Sequence, residues 1–115
     1  MRLIAKVNRA ESETKRLMIY ETADGVYLFG YTTLDDSHSK WDALHESIED
    51  AKEEGEDVSG VGFEDWVEIP DPMEHCQHDW INPVRVKGRD TGTPDWGKYE
   101  RFENGKWIEL EPSKQ

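Results

Sequence analysis

The sequence is poor in cysteine, in positive charge and in long apolar runs. A single Cys among 115 residues excludes an intrachain disulfide, so nothing marks an oxidising compartment. The opening MRLIAKVNR carries only a short apolar run before Lys6. That is too short for the core of a signal peptide, and no later stretch approaches a membrane span. A soluble cytoplasmic protein is the expectation. Glycine-rich phosphate loops and dinucleotide fingerprints are missing, which leaves nucleotide binding without support. There is no internal repeat and no low-complexity segment. Lys and Arg number 14 against 26 Asp and Glu, a formal net charge of −12. Such an excess keeps a protein soluble at some cost in self-repulsion. It disfavours nucleic acid and anionic membranes as partners and favours basic proteins or cations.

Apolar residues make up 35% of the chain and charged residues another 35%. That balance alone leans toward disorder. The five Trp, four Tyr and three Phe argue for a fold, because each buries a large area and most lie in patterned stretches. The length suits a single domain over 1–115 with one modest core. Three parts are expected within it: a strands–helix–strand part over 1–70, a proline-rich connection over 71–83 and a β-hairpin part over 84–111.

The stretch 2–8 reads as a first strand. RLMIYET (16–22) and GVYLFGYTT (25–33) read as a strand pair turning at Ala23-Asp24-Gly25, since Gly supplies positive φ at a hairpin turn. Both strands carry consecutive apolar residues, so at least one of them is expected to be central and covered on both faces. Trp41, Leu44, Ile48 and Ala51 recur at helical spacing and predict a helix near 40–55, with a separate turn in place of its first two turns as the alternative. Two capping boxes compete for its start, Ser39 with Asp42 and Ser47 with Asp50. Gly55 is the expected stop, EEGEDVSGVG (53–62) a linker, and EDWVEI (64–69) a strand. Further on, 82–88 contains a short strand. GKYERFENGKWIEL (97–110) predicts a hairpin turning at Asn104-Gly105, the preferred two-residue turn. That register sets Glu103 opposite Lys106, Phe102 opposite Trp107, Arg101 opposite Ile108 and Tyr99 opposite Leu110. It also places Glu100 against Glu109, a like-charge pair. The fold class expected is α+β: an antiparallel sheet packed by one main helix, with a C-terminal β-hairpin element.

Charge is unevenly distributed. Residues 42–79 hold fourteen Asp or Glu and one Lys, whereas 84–106 hold six Lys or Arg and four acids. Glu46, Glu49, Asp50, Glu53 and Glu54 are spaced to form one carboxylate face on the expected helix. That face is either simply solvated or a docking surface for a basic partner, where complementary charge raises on-rate and specificity. Arg85, Lys87 and Arg89 alternate with small or apolar residues and point three cations to one side of a strand. The expectation is that they complement the protein's own acidic helix; a phosphate or anion site is the alternative.

PDPMEHCQHDWINP (70–83) concentrates His75, Cys76, His78 and Trp80 between prolines. His75, Cys76 and His78 are candidate metal ligands, but structural zinc wants four, typically as two short pairs. His38 or His45 could complete the set only if folding brought them near. A thiol enzyme would need Cys76 activated by an imidazole, and the surrounding carboxylates act against a thiolate. The alternative to both is a rigid connection in which Cys76 is a small buried residue. Trp41, Trp66 and Trp107 are expected at the core or its edge. Trp80 and Trp96 lie in loops and are candidate interface anchors.

The order YLFGYTT…WDALHESIEDAKEEGE…GFEDWVEI, over 25–70, resembles small acidic bacterial proteins of unknown function. In size and acidity the chain also looks similar to bacterial immunity proteins and antitoxins. The resemblance carries over no catalytic residue. The leading expectation is therefore a non-enzymatic interaction or inhibitor-like module for a basic protein, without a cofactor. Its contacts are Glu46, Glu49, Asp50, Glu53, Glu54, Trp80 and Trp96. The alternatives are a metal-binding or thiol-dependent enzyme centred on His75-Cys76-Gln77-His78, and a structural or oligomerising protein.

Overall fold

The computed structural model describes residues 1–88, 92–93 and 98–110. Trp96 and Arg89, both singled out above, lie outside the described residues. By contacts the chain divides into two units, Met1–Asp71 and Pro72–Gln115, and the division falls inside the proline-rich connection. Each unit holds its own antiparallel sheet, and the described residues contain one helix, so the fold is α+β.

The first unit contains strands β1 (Arg2–Lys6), β2 (Arg16–Thr22), β3 (Gly25–Tyr31), β4 (Trp41–His45) and β5 (Val67–Ile69), with helix α1 (Ile48–Ser59). The sheet order is β4-β3-β2-β1-β5. β2 is the middle strand, and its Arg16, Leu17, Met18 and Ile19 are all buried, as its consecutive apolar residues require. The ladder aligns Leu3 with Ile19 and Ile19 with Leu28. These residues join Ala5, Val7, Leu17, Val26, Ala51 and Val61 in the core, with Trp41, Ile48 and Trp66 packed against it. The opposite face bears Met18, Tyr31 and two buried arginines. The Arg16 guanidinium lies 3.9 Å above the Tyr31 ring and donates from Nη2 to the Asp35 carbonyl at 3.5 Å. Arg2 donates from Nε to the Pro70 carbonyl at 2.8 Å. Burial holds the Arg2 guanidinium below the usual arginine range, opposed by nearby Tyr31, Asp71, Tyr20 and Asp36.

The region 40–60 departs from the sequence reading. Residues 41–45 are strand, not helix, and the helix runs four residues past the expected stop at Gly55. Leu44, expected on the buried stripe, is 61% exposed. The apparent helical spacing joins two elements of different period. Trp41 and Ala43 alternate along β4, whereas the stripe that α1 buries is Ala51, Gly55 and Ser59. Of the two capping boxes, Ser47 is the one used. It has extended backbone, and its Oγ accepts from the Asp50 amide at 3.1 Å, satisfying one of the helix's free N-terminal donors. Gly60, at φ 70, ends the helix in the left-handed conformation that glycine adopts without penalty. Gly55 is a contact residue. A Cβ there would fall 3.2 Å from Trp66 Cζ2 and 3.3 Å from Leu17 Cδ1, so its missing side chain sets how closely helix and sheet approach. Trp66 itself precedes β5, which covers only 67–69.

The second unit contains β6 (Val84–Val86), β7 (Tyr99–Glu103) and β8 (Lys106–Glu109), in the order β6-β7-β8. The register of the β7–β8 hairpin is the one read from the sequence, Phe102 facing Trp107 and Glu103 facing Lys106. Asn104 at φ 50 and Gly105 at φ 77 take the positive values that the tight turn demands. Phe102 and Trp107 meet with ring centroids 5.1 Å apart. Val84 and Val86 are buried, and Arg85 between them lies 3.7 Å over the Trp107 ring.

Candidate functional site

The five carboxylates expected on one helix face are divided by the fold. The helix starts at Ile48, so Glu46 lies in the turn before it. Glu46 and Glu49 line an open cleft of ≈ 690 Å³ beside the β2–β3 turn, whose other walls include Glu21, Asp24, Leu44 and His45. Asp50, Glu53 and Glu54 line a second, shallower concavity of ≈ 380 Å³, together with Asp57 and Val58. These five residues follow the spacing of one helix face. Glu54 Oε1 lies 3.0 Å from His45 Nε2. That nitrogen is buried and makes no aligned hydrogen bond, so the contact is a close approach of charge and imidazole, off the line of a hydrogen bond.

Asp57 and Val58 fall outside a helix that stops at Gly55, so the spacing argument does not reach them. The signal was present in Gly60 and in the continuing period of small residues, Ala51, Gly55 and Ser59. Val58 is 58% exposed and gives the acidic concavity an apolar wall. Among the described residues, no ion pair reaches Glu49, Asp50, Glu53, Glu56 or Asp57. The helix's Lys52 turns to Phe63 instead, donating to its carbonyl at 3.4 Å. The last turn carries no basic residue. Glu56 and Asp57 thus stand near the negative end of the helix dipole, where carboxylates are disfavoured.

Within the second unit, Arg85 and Lys87 each pair with a carboxylate of the neighbouring hairpin. Arg85 Nε meets Glu100 Oε1 at 3.2 Å, and Lys87 Nζ meets Glu109 Oε2 at 3.2 Å. These two cations neutralise the like-charge pair Glu100–Glu109, which the hairpin register places face to face.

In the imidazole-rich stretch, Cys76 is buried at 3% and Trp80 at 8% exposure, while His75 and His78 are exposed. The Cys76 amide donates to the Met73 carbonyl at 3.0 Å, and the Gln77 amide to the Val84 carbonyl at 2.6 Å. His75 takes φ 66, and its Nε2 lies 3.4 Å from Glu74 Oε1. Turn hydrogen bonds and a buried thiol and indole thus hold this segment. His38 lies half-buried in the β3–β4 loop, and His45 lies against Glu54. Among the described residues no three His, Cys, Asp or Glu side chains gather as a metal-binding group, and no helix is long and apolar enough to cross a membrane.

No protein-family model matches the chain, and neither a curated protein nor a solved structure matches it.

Proposed function

We propose that the protein is a non-enzymatic, inhibitor-like module of the bacterial cytoplasm, comparable to immunity proteins or antitoxins. In this reading it docks a basic protein through the exposed face of α1. One observation carries the reading. Asp50, Glu53, Glu54 and Asp57 surround a concavity walled by exposed Val58, with no cation on that face of the helix. Like charges at these spacings repel by a few tenths of a kcal/mol per pair. A basic surface supplies the missing counter-charge and covers Val58. Glu46 and Glu49 extend the negative field toward the neighbouring cleft and steer the encounter. Buried Trp80 supports its own loop in this reading and is left out of the contact surface.

The test is affinity capture from the native host with wild-type protein, with the Glu53→Lys/Asp57→Lys double variant, and with Glu11→Lys/Glu13→Lys as a charge-matched control in the exposed β1–β2 loop. The expected result is one basic protein retained by wild type and by the control, lost with the double variant, and released by moderate salt. Retention by the double variant, or indifference to salt, overturns the proposal.

A further inference from the structure

The opposite charge also has a site. Residues 6–10, with Lys15 and Leu34, line a groove of ≈ 270 Å³ in the first unit. Lys6, Arg9 and Lys15 all line it, and no carboxylate among the described residues does. In a chain with 26 acids to 14 bases, three basic residues lining one groove are a local reversal of the overall charge. Arg85, Lys87 and Arg101, by contrast, each meet a carboxylate. Lys6 and Arg9 have no ion pair among the described residues, and the Lys15 ammonium donates to the Ala10 carbonyl at 3.3 Å.

The groove is held in shape by its backbone. The Val7 amide donates to the Lys15 carbonyl at 2.9 Å, and the Ser12 amide closes a turn onto the Arg9 carbonyl at 3.1 Å. Arg9 is positioned from the other side. A Cβ on Gly60 would fall 2.6 Å from Arg9 Nε, so the guanidinium lies across the end of α1, where the helix dipole favours a cation. The walls are partly apolar. Val7 is buried at 5% and Leu34 is 53% exposed at the rim.

We infer that this groove binds a small oxyanion ligand, a carboxylate or phosphate group carried on a short apolar body. The anionic group meets Lys6, Arg9 and Lys15, and the apolar body lies against Val7 and Leu34. The inference is independent of the docking face on α1, because its ligand has the opposite charge and touches none of the helix carboxylates.

Amide chemical shifts of the intact protein, followed while inorganic phosphate, butyrate or chloride is added at matched ionic strength, test it. Saturable shifts at Lys6, Asn8, Lys15 and Leu34 are expected with phosphate or butyrate and not with chloride. The tighter of the two identifies the source of the oxyanion. Lys6→Gln is expected to weaken the binding about fivefold or more, as loss of a charge-assisted contact does. Leu34→Ala, at an exposed position that leaves the fold intact, weakens butyrate more than phosphate. Glu53→Lys leaves both unchanged. Shifts that match those with chloride, fail to saturate, or titrate with unchanged affinity in Lys6→Gln overturn the inference.

Discussion

The indole of Trp41 lies across the Cα of Gly30 on the neighbouring strand. The two are ladder partners, and a Cβ on Gly30 would fall 1.9 Å from Trp41 Cε2. The indole Nε1 donates to Thr14 Oγ1 at 3.4 Å, which further fixes the ring. Gly30→Ala must therefore expel the indole or push β4 from the sheet. Overpacking of this kind costs about 1–3 kcal/mol. Urea unfolding measures the loss. Repeating it in a Trp41→Phe background, where the ring is smaller, is expected to recover part of it.

The helix ends are equally specific. Ser47→Ala removes the side-chain acceptor for the Asp50 amide and is expected to cost about 1 kcal/mol. Gly60→Ala forces a left-handed backbone onto a residue with a Cβ, costing about 1 kcal/mol, and also displaces Arg9. The second loss should exceed the first. Thermal melts with far-ultraviolet circular dichroism compare them.

The acidic face predicts stability and binding moving in opposite directions. Asp57→Lys removes repulsion with Glu53 and Glu54 and places a cation near the helix C-terminus. The expected gain is a few tenths of a kcal/mol to about 1 kcal/mol, shrinking as salt rises. The same change should weaken capture of the basic partner. A chemical melt of Asp57→Lys that shows lower stability than wild type would contradict the electrostatic account of this helix.

In the second unit, Arg85 does two jobs. It stacks on Trp107 and pairs with Glu100, and both Arg85 and Glu100 have side chains less than a fifth exposed. Arg85→Lys keeps the charge but loses the planar stack and is expected to cost about 0.5–1 kcal/mol. Arg85→Gln also leaves Glu100 facing Glu109, and should cost about 1–3 kcal/mol. The ordering of the two, read from urea midpoints, distinguishes stacking from charge.

Much of the fold was legible because local chemistry specified it. Asn104-Gly105 sets the β7–β8 register without reference to anything distant. Consecutive apolar residues from Leu17 to Ile19 announce a strand covered on both faces. The 40–60 region was misread because its answer is non-local. The spacing of Trp41, Leu44, Ile48 and Ala51 fits a helix, but a glycine eleven residues upstream gives the Trp41 ring its place in a sheet. Ending the helix too early then hid Asp57 and Val58. The pairing of Arg85 with Glu100 and of Lys87 with Glu109 is not legible in the sequence, because nothing there says which strand lies beside β7. The groove of Lys6, Arg9 and Lys15 has no sequence signature at all, since a chain reversal creates it.

The pairing of Glu100 with Glu109 also fixes the smallest piece of the second unit worth excising. A peptide spanning only β7 and β8 keeps the favourable turn and the Phe102–Trp107 contact, yet leaves two carboxylates opposed with no counter-ion. An isolated hairpin is marginal in water even without such a handicap. The third strand, with Arg85 and Lys87, makes the difference between a fragment and a foldable cassette. A truncation series or a graft of this element should therefore begin before Val84, not at Tyr99.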